Sequence, residues 1–127
     1  VYTVTIPSSV VLEKDGTPVL FEASDVENLN GKKISVTVAG TSAFRDQFIL
    51  ESVEGFASMR FSITKADGEF LTTNAGAGIE NLNGTELAAF TENGSQTLTF
   101  APLIGNSGST RPGEVYSGTI TYGIALV

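Results

Sequence analysis

The feature that most constrains this chain is a two-residue rhythm of apolar and polar side chains, present at both ends. From Glu114 to Val127, the residues Tyr116, Ile120, Tyr122, Ile124 and Leu126 fall on one face, and Ser117, Thr119, Thr121 and Ala125 on the other. Side chains alternate across a strand, and these are strong strand formers, so the segment is expected to be one long β-strand with a buried side. Arg111-Pro112-Gly113 marks its start. The front of the chain mirrors it: Tyr2, Val4 and Ile6 face one way, Thr3 and Thr5 the other. Such a chain either closes on itself as a β-sandwich or lends a strand to a neighbour.

The rhythm recurs inside. Ile34, Val36 and Val38 alternate with Ser35 and Thr37; Met59, Phe61 and Ile63 with Arg60 and Ser62; Leu98 and Phe100 with Thr97 and Thr99. Val19, Phe21 and Ala23 form another run whose phase slips near Asp25, where a bulge is expected. Phe48 and Leu50 make a shorter one. Between the runs stand Asp15-Gly16, Asn30-Gly31, Asp67-Gly68, Asn83-Gly84 and Asn93-Gly94, Asx-Gly pairs that tolerate positive φ in tight turns. Lys65 to Glu69 reads as a hairpin turn. Ser42–Gln47 and Glu86–Thr91 are expected as short helices. Leu20–Leu29 carries a capping-box pattern at Ser24 and Glu27, but strand is favoured there. Gly105–Gly113 is expected to be an exposed polar loop.

Together these runs predict an all-β fold: an antiparallel β-sandwich, immunoglobulin-like or fimbrial-like, in one domain over residues 1–127. A chain of this length buries roughly two-thirds of its unfolded surface, enough for one core. The expected core is Val4, Ile6, Phe21, Ile34, Val36, Val38, Phe48, Leu50, Phe61, Ile63, Leu98, Phe100, Ile120, Tyr122, Ile124 and Leu126.

One pentapeptide occurs twice. Glu27-Asn28-Leu29-Asn30-Gly31 recurs as Glu80-Asn81-Leu82-Asn83-Gly84, each copy before a strand-like run. It reads either as a duplicated binding loop or as two strand-to-strand corners with the same turn needs; the corners are favoured, since likeness fades outside the five residues.

Composition narrows the chemistry. The net charge of −7 lacks the basic footprint of phosphate-backbone binding and does not attract an anionic membrane, so neither nucleic acid nor membrane is expected as a partner. No apolar run is long enough for a spanning helix. No charged-then-apolar leader stands at the front, so a secreted form is expected to have lost its leader. There is no His and no Cys, which removes the commonest general base, the thiolate nucleophile and soft-metal sites. Ser107 and Ser109 lie in Gly-rich sequence without a positioned lysine and without the G-x-S-x-G spacing. Asp25 with Glu27, Glu51 with Glu54, and Asp67 with Glu69 are the acidic pairs, and none has the spacing of a calcium loop. The expectation is a chain that is not an enzyme and uses no cofactor or metal. The chain has eight Phe, three Tyr and no Trp. Phe44, Phe56 and Phe90 stand outside clean alternation and are the candidates for an exposed glycan platform, with Gly105–Pro112 as a ligand loop. Asn83-Gly84-Thr85 and Asn93-Gly94-Ser95 fit the glycosylation sequon.

The candidate site for assembly is the front strand: Val1, Tyr2, Thr3, Val4, Thr5 and Ile6 have the alternation of a donor in strand exchange, and Pro7 ends the pairing. The other reading pairs this strand within its own sandwich, beside 114–127.

Val1-Tyr2-Thr3-Val4-Thr5-Ile6-Pro7-Ser8-Ser9-Val10 resembles the YTVTIP-x-S-V opening of small secreted β-modules of gut Firmicutes. Gly31-Lys32-Lys33-Ile34-Ser35-Val36-Thr37-Val38 resembles their GK-x-L-x-V-x-V strand, and 113–122 is similar to their closing AGTYTGTLTF. More distantly the chain is similar to the WxL surface domain, without its Trp, and to fimbrial subunits. The resemblance implies a module at the bacterial cell surface or outside the cell, structural or adhesive, with other protein subunits as partners in a homo-oligomer or polymer, and with no catalytic residues to carry over.

Overall fold

The computed structural model describes residues 1–54, 57–103 and 115–127. Phe56, the polar stretch 105–113 and Glu114 lie outside them. The strands are β1 (Thr3–Thr5), β2 (Thr17–Ser24), β3 (Ile34–Thr41), β4 (Ile49–Ser52), β5 (Ser58–Thr64), β6 (Phe70–Leu71), β7 (Glu86–Phe90), β8 (Gly94–Pro102), β9 (Tyr116–Ser117) and β10 (Ile120–Leu126). Among the described residues they form two sheets. The larger runs β1-β2-β8-β5-β4-β9, with β6 also on β5; the smaller runs β10-β3-β7. Every strand pairing is antiparallel. The all-β reading therefore holds, as two antiparallel sheets sharing one core.

Alternation decides what that core contains. Val19, Phe21 and Ala23 of β2, Leu98 and Phe100 of β8, and Phe61 and Ile63 of β5 are buried, as are Ile34, Val36 and Val38 of β3. Phe21 meets Tyr122 of β10 edge-on at 5.5 Å, and Phe48 stacks on Phe61 at 4.8 Å. Burying side chains of this size contributes about 1.5–3 kcal/mol each.

Several local expectations hold. Gly16, Gly31, Gly68 and Gly84 all adopt positive φ. The Lys65–Glu69 turn joins β5 to β6, closed by the Lys65 N–H donating to the Glu69 carbonyl at 2.8 Å. The repeated pentapeptide makes two comparable corners: the Leu29 carbonyl accepts from Lys32 N–H and the Leu82 carbonyl from Thr85 N–H. These corners lead into β3 and β7, neighbours in the small sheet.

Four expectations are corrected. Glu86–Thr91 is strand, not helix: β7 pairs with β3, and Leu87, the unpaired residue of a bulge opposite Val36 and Thr37, is wholly buried. Ser42–Gln47 contains only a 3-10 turn at Phe44–Asp46. No bulge interrupts β2 at Asp25; the strand ends at Ser24 and Asp25 takes φ 53°. The closing segment is not one strand, because Gly118 and Thr119 break it. β9 pairs with β4 in the large sheet and β10 with β3 in the small one, so this piece of chain crosses between them.

Ile124 and Leu126 also depart from the expected core. Their cross-strand mates Val36 and Ile34 are fully buried, yet Ile124 is 43% and Leu126 37% exposed. They point to the core side of a marginal strand that is left partly uncovered. Phe21→Ala should therefore cost about 3–5 kcal/mol in urea unfolding, whereas Leu126→Ala should cost less than about 1 kcal/mol.

Candidate functional site

The front strand lies on the margin of its own large sheet. Thr3, Val4 and Thr5 sit opposite Ser24, Ala23 and Glu22 of β2, and the Glu27 N–H donates to the Val1 carbonyl at 2.9 Å. Its neighbour is β2, not the closing segment at 115–127. Tyr2, Val4 and Ile6 are half-buried against the core, and Thr3 and Thr5 are exposed. Of Val1–Ile6, only Thr3–Thr5 form strand, in ladder pairs on β2, with Val1 bonded to Glu27 beside them.

Beyond Pro7 the chain continues without regular structure as far as Thr17. Val10 and Leu12 pack on the core while Val11 is exposed. A groove of about 290 Å³ opens here, lined by Val10, Leu12, Phe61, Phe100, Ile120 and Tyr122. A second, of about 540 Å³, shares Val10, Leu12 and Leu50 and extends to Met59, Pro102 and Val115. The strap 7–12 therefore runs over apolar surface that it covers only in part. It is anchored by Thr17, whose hydroxyl donates to the Val11 carbonyl at 2.6 Å and accepts from Glu13 N–H at 2.8 Å.

A second cluster forms a corner after β3. Arg45 and Asp46 both take φ 57°, a left-handed pair of non-glycine residues. Such backbone costs of order 1 kcal/mol or more per residue and persists only where neighbours over-determine it. Here they do. The Asp46 carboxylate accepts from Thr41 N–H at 3.1 Å and from the Asn83 amide at 2.9 Å, and it lies against Gly40. The Asn83 bond, with the Thr41 bond second, holds the Asp46 carboxyl below its ordinary range. Arg45 pairs with Glu80 and sits 4.9 Å from the centre of the Phe44 ring. Phe44 is 72% exposed. Of the other glycan candidates, Phe90 is corrected: it faces Ile34 across the small sheet and is buried.

The acidic pairs do not converge. Asp67 accepts from Glu69 N–H at 2.9 Å and so serves the hairpin turn. Among the described residues no three His, Cys, Asp or Glu side chains come together as a metal site. The sequon asparagines have structural partners: Asn83 on Asp46, and Asn93, whose side-chain carbonyl accepts from Val26 N–H at 2.9 Å.

Three features escaped sequence reasoning. Thr73 is completely buried, and its hydroxyl accepts from Phe48 N–H at 2.9 Å. The Arg60 guanidinium donates to the Thr73 carbonyl at 2.7 Å. Glu86 accepts from the Ser35 hydroxyl at 2.6 Å and pairs with Lys33 at 3.1 Å. No local pattern signals any of these, because each partner is distant in the chain.

No family model matches the chain, and no curated protein or solved structure matches it.

The Ser35 bond, with Lys33 assisting, holds the Glu86 carboxyl below its usual value of 4.5. A carboxyl lowered by folding stabilises the folded state above its unfolded value, and that contribution is lost as pH falls through the folded one. The thermal midpoint should therefore fall as pH drops below about 4.5. In a pH series of melts, Glu86→Gln should lower the midpoint at neutral pH and make that acid decline shallower.

Proposed function

We propose that this chain is a non-catalytic structural or adhesive module of a bacterial cell-surface assembly, a sandwich of immunoglobulin-like or fimbrial-like type. Its copies join by exchanging the strand Val1–Ile6. The observation that carries this reading is how that strand is held: a short margin strand with an apolar face, three ladder pairs on β2, and an irregular strap behind it. Swapping an identical element between copies creates no new chemistry and needs only a hinge, which residues 7–12 supply. In the exchanged form main-chain hydrogen bonds give affinity, and Tyr2, Val4 and Ile6 set the register. The likeness of the front and closing segments to secreted Firmicutes modules supports the surface location.

Deleting Val1–Ile6 removes three half-buried side chains, worth about 3 kcal/mol. The truncated chain should remain soluble and folded, with a lower thermal midpoint and without the multimers that this strand links. Light scattering of the full chain at high concentration provides the check: a strictly monomeric full chain sinks strand exchange.

A second reading rests on the exposed corner. Phe44, with Arg45 over its ring and Glu80 beside it, offers an aromatic face flanked by hydrogen-bonding groups, a pattern suited to a carbohydrate. On a glycan array, reproducible binding abolished by Phe44→Ala supports this reading, and an array without binding removes it.

A further inference from the structure

β10 lies at the margin of the small sheet, and no described strand pairs with its outer edge. Lys33 N–H donates to the Val127 carbonyl and Val127 N–H to the Lys33 carbonyl, both at 3.0 Å. In an antiparallel ladder such doubly bonded pairs alternate with residues whose main-chain groups point away from the partner. Counting back through the register, Ala125 opposite Ser35 and Gly123 opposite Thr37 turn their N–H and C=O groups toward β3. Tyr122, Ile124 and Leu126 turn theirs outward. The parity survives the bulge, which lies on β3 at Ala39, because the Thr119 carbonyl accepts from Ser42 N–H on the β3 side. Ile120 therefore also faces outward. Among the described residues no strand pairs with that edge.

An open edge of this kind is a template for another strand, and proteins ordinarily blunt it with charge or proline. Here neither is present: from Ser117 to Val127 no residue is charged and none is proline. The other margins are poorer templates. β1 and β9 are shorter, and β7 begins with Glu86. The net charge of −7 makes two copies repel in general, so contact is opposed least where the surface is neutral.

We infer that β10 pairs antiparallel with β10 of a second copy about a two-fold axis at Gly123. The occupant follows from the register. Centring on Gly123 places Ile120 opposite Leu126 of the second copy and Tyr122 opposite Ile124. These are the four residues whose groups point outward, so the pairing closes about eight main-chain hydrogen bonds. All four side chains share one face, and the exposed Ile124 and Leu126 gain apolar neighbours there. On the opposite face Gly123 meets its own mate with no side chains to collide, and Thr121 faces Ala125. The three strands of each small sheet join into one continuous sheet. A one-residue shift would set outward groups against inward ones and lose the ladder.

The chain has no cysteine, so register can be read by crosslinking. Thr121 opposite Ala125 is a pair without direct hydrogen bonds, with Cα atoms about 4.5 Å apart, inside the range a disulfide spans. Thr121 and its own mate are four positions out of register, about 13 Å apart, and cannot be bridged. Thr121→Cys and Ala125→Cys, mixed at millimolar chain and mildly oxidised, should give a disulfide-linked dimer of doubled mass, while each variant alone stays uncrosslinked. Adding Ile124→Lys to both chains should abolish the crosslink and leave the thermal midpoint within a few degrees, since that side chain is already exposed. Equal crosslinking of the single variants, or none in the mixture, overturns the inference. Multimers without this crosslink overturn it too, and leave exchange of Val1–Ile6 standing.

Discussion

Water is shut out between the inward faces of β3 and of the β2–β8–β5 sheet, and the rest of the molecule depends on that exclusion. Ile34, Val36 and Val38 are removed from solvent from one side; Val19, Phe21, Leu98, Phe100 and Ile63 from the other. A strand has only two faces, so committing one to the core fixes the register of every neighbour. The two bulges are consistent with this demand. Leaving Leu87 and Ala39 unpaired lets β7 and β10 keep their apolar residues inward while the strands twist.

The same constraint weakens toward the margins. β3 is flanked on both sides and completely buried on its core face, whereas β10 shares that face and leaves Ile124 and Leu126 partly wet. β1 is short, and the strap behind it leaves apolar grooves on either side of Val10 and Leu12. The strand of most central burial is thus the least available for interaction, and the marginal strands carry the unpaired main-chain groups. The protein has no His and no Cys, and no group of three His, Cys, Asp or Glu side chains comes together among its described residues.

Sequence reasoning succeeded where a residue's role is set by its neighbours two positions away. The runs at Val19–Ala23, Ile34–Val38, Phe61–Ile63 and Leu98–Phe100 became strands with the expected faces, and four of the five Asx-Gly pairs took positive φ at glycine. It failed where a tertiary partner overrode local pattern. Glu86-Leu87-Ala88-Ala89 looks helical because alanine and leucine favour helix, yet pairing with β3 and a bulge at Leu87 made it strand. The assignment of Phe90 failed for the same reason: its alternation resumes only after the bulge. The Asp46–Asn83 and Ser35–Glu86 bonds span dozens of residues and leave no trace in either segment alone.

What the sequence determined by itself is the class of element and the side of each that is buried, because both follow from a period of two and from glycine at the turns. The tertiary structure alone decided which strands became neighbours. It divided the closing segment between two sheets at Gly118 and Thr119, seated Val1–Ile6 on β2, and left the groups of Ile120, Tyr122, Ile124 and Leu126 facing outward. Alternation says that a strand has an inside; it does not say how far the opposing layer reaches, and exposure at an edge is set by that reach.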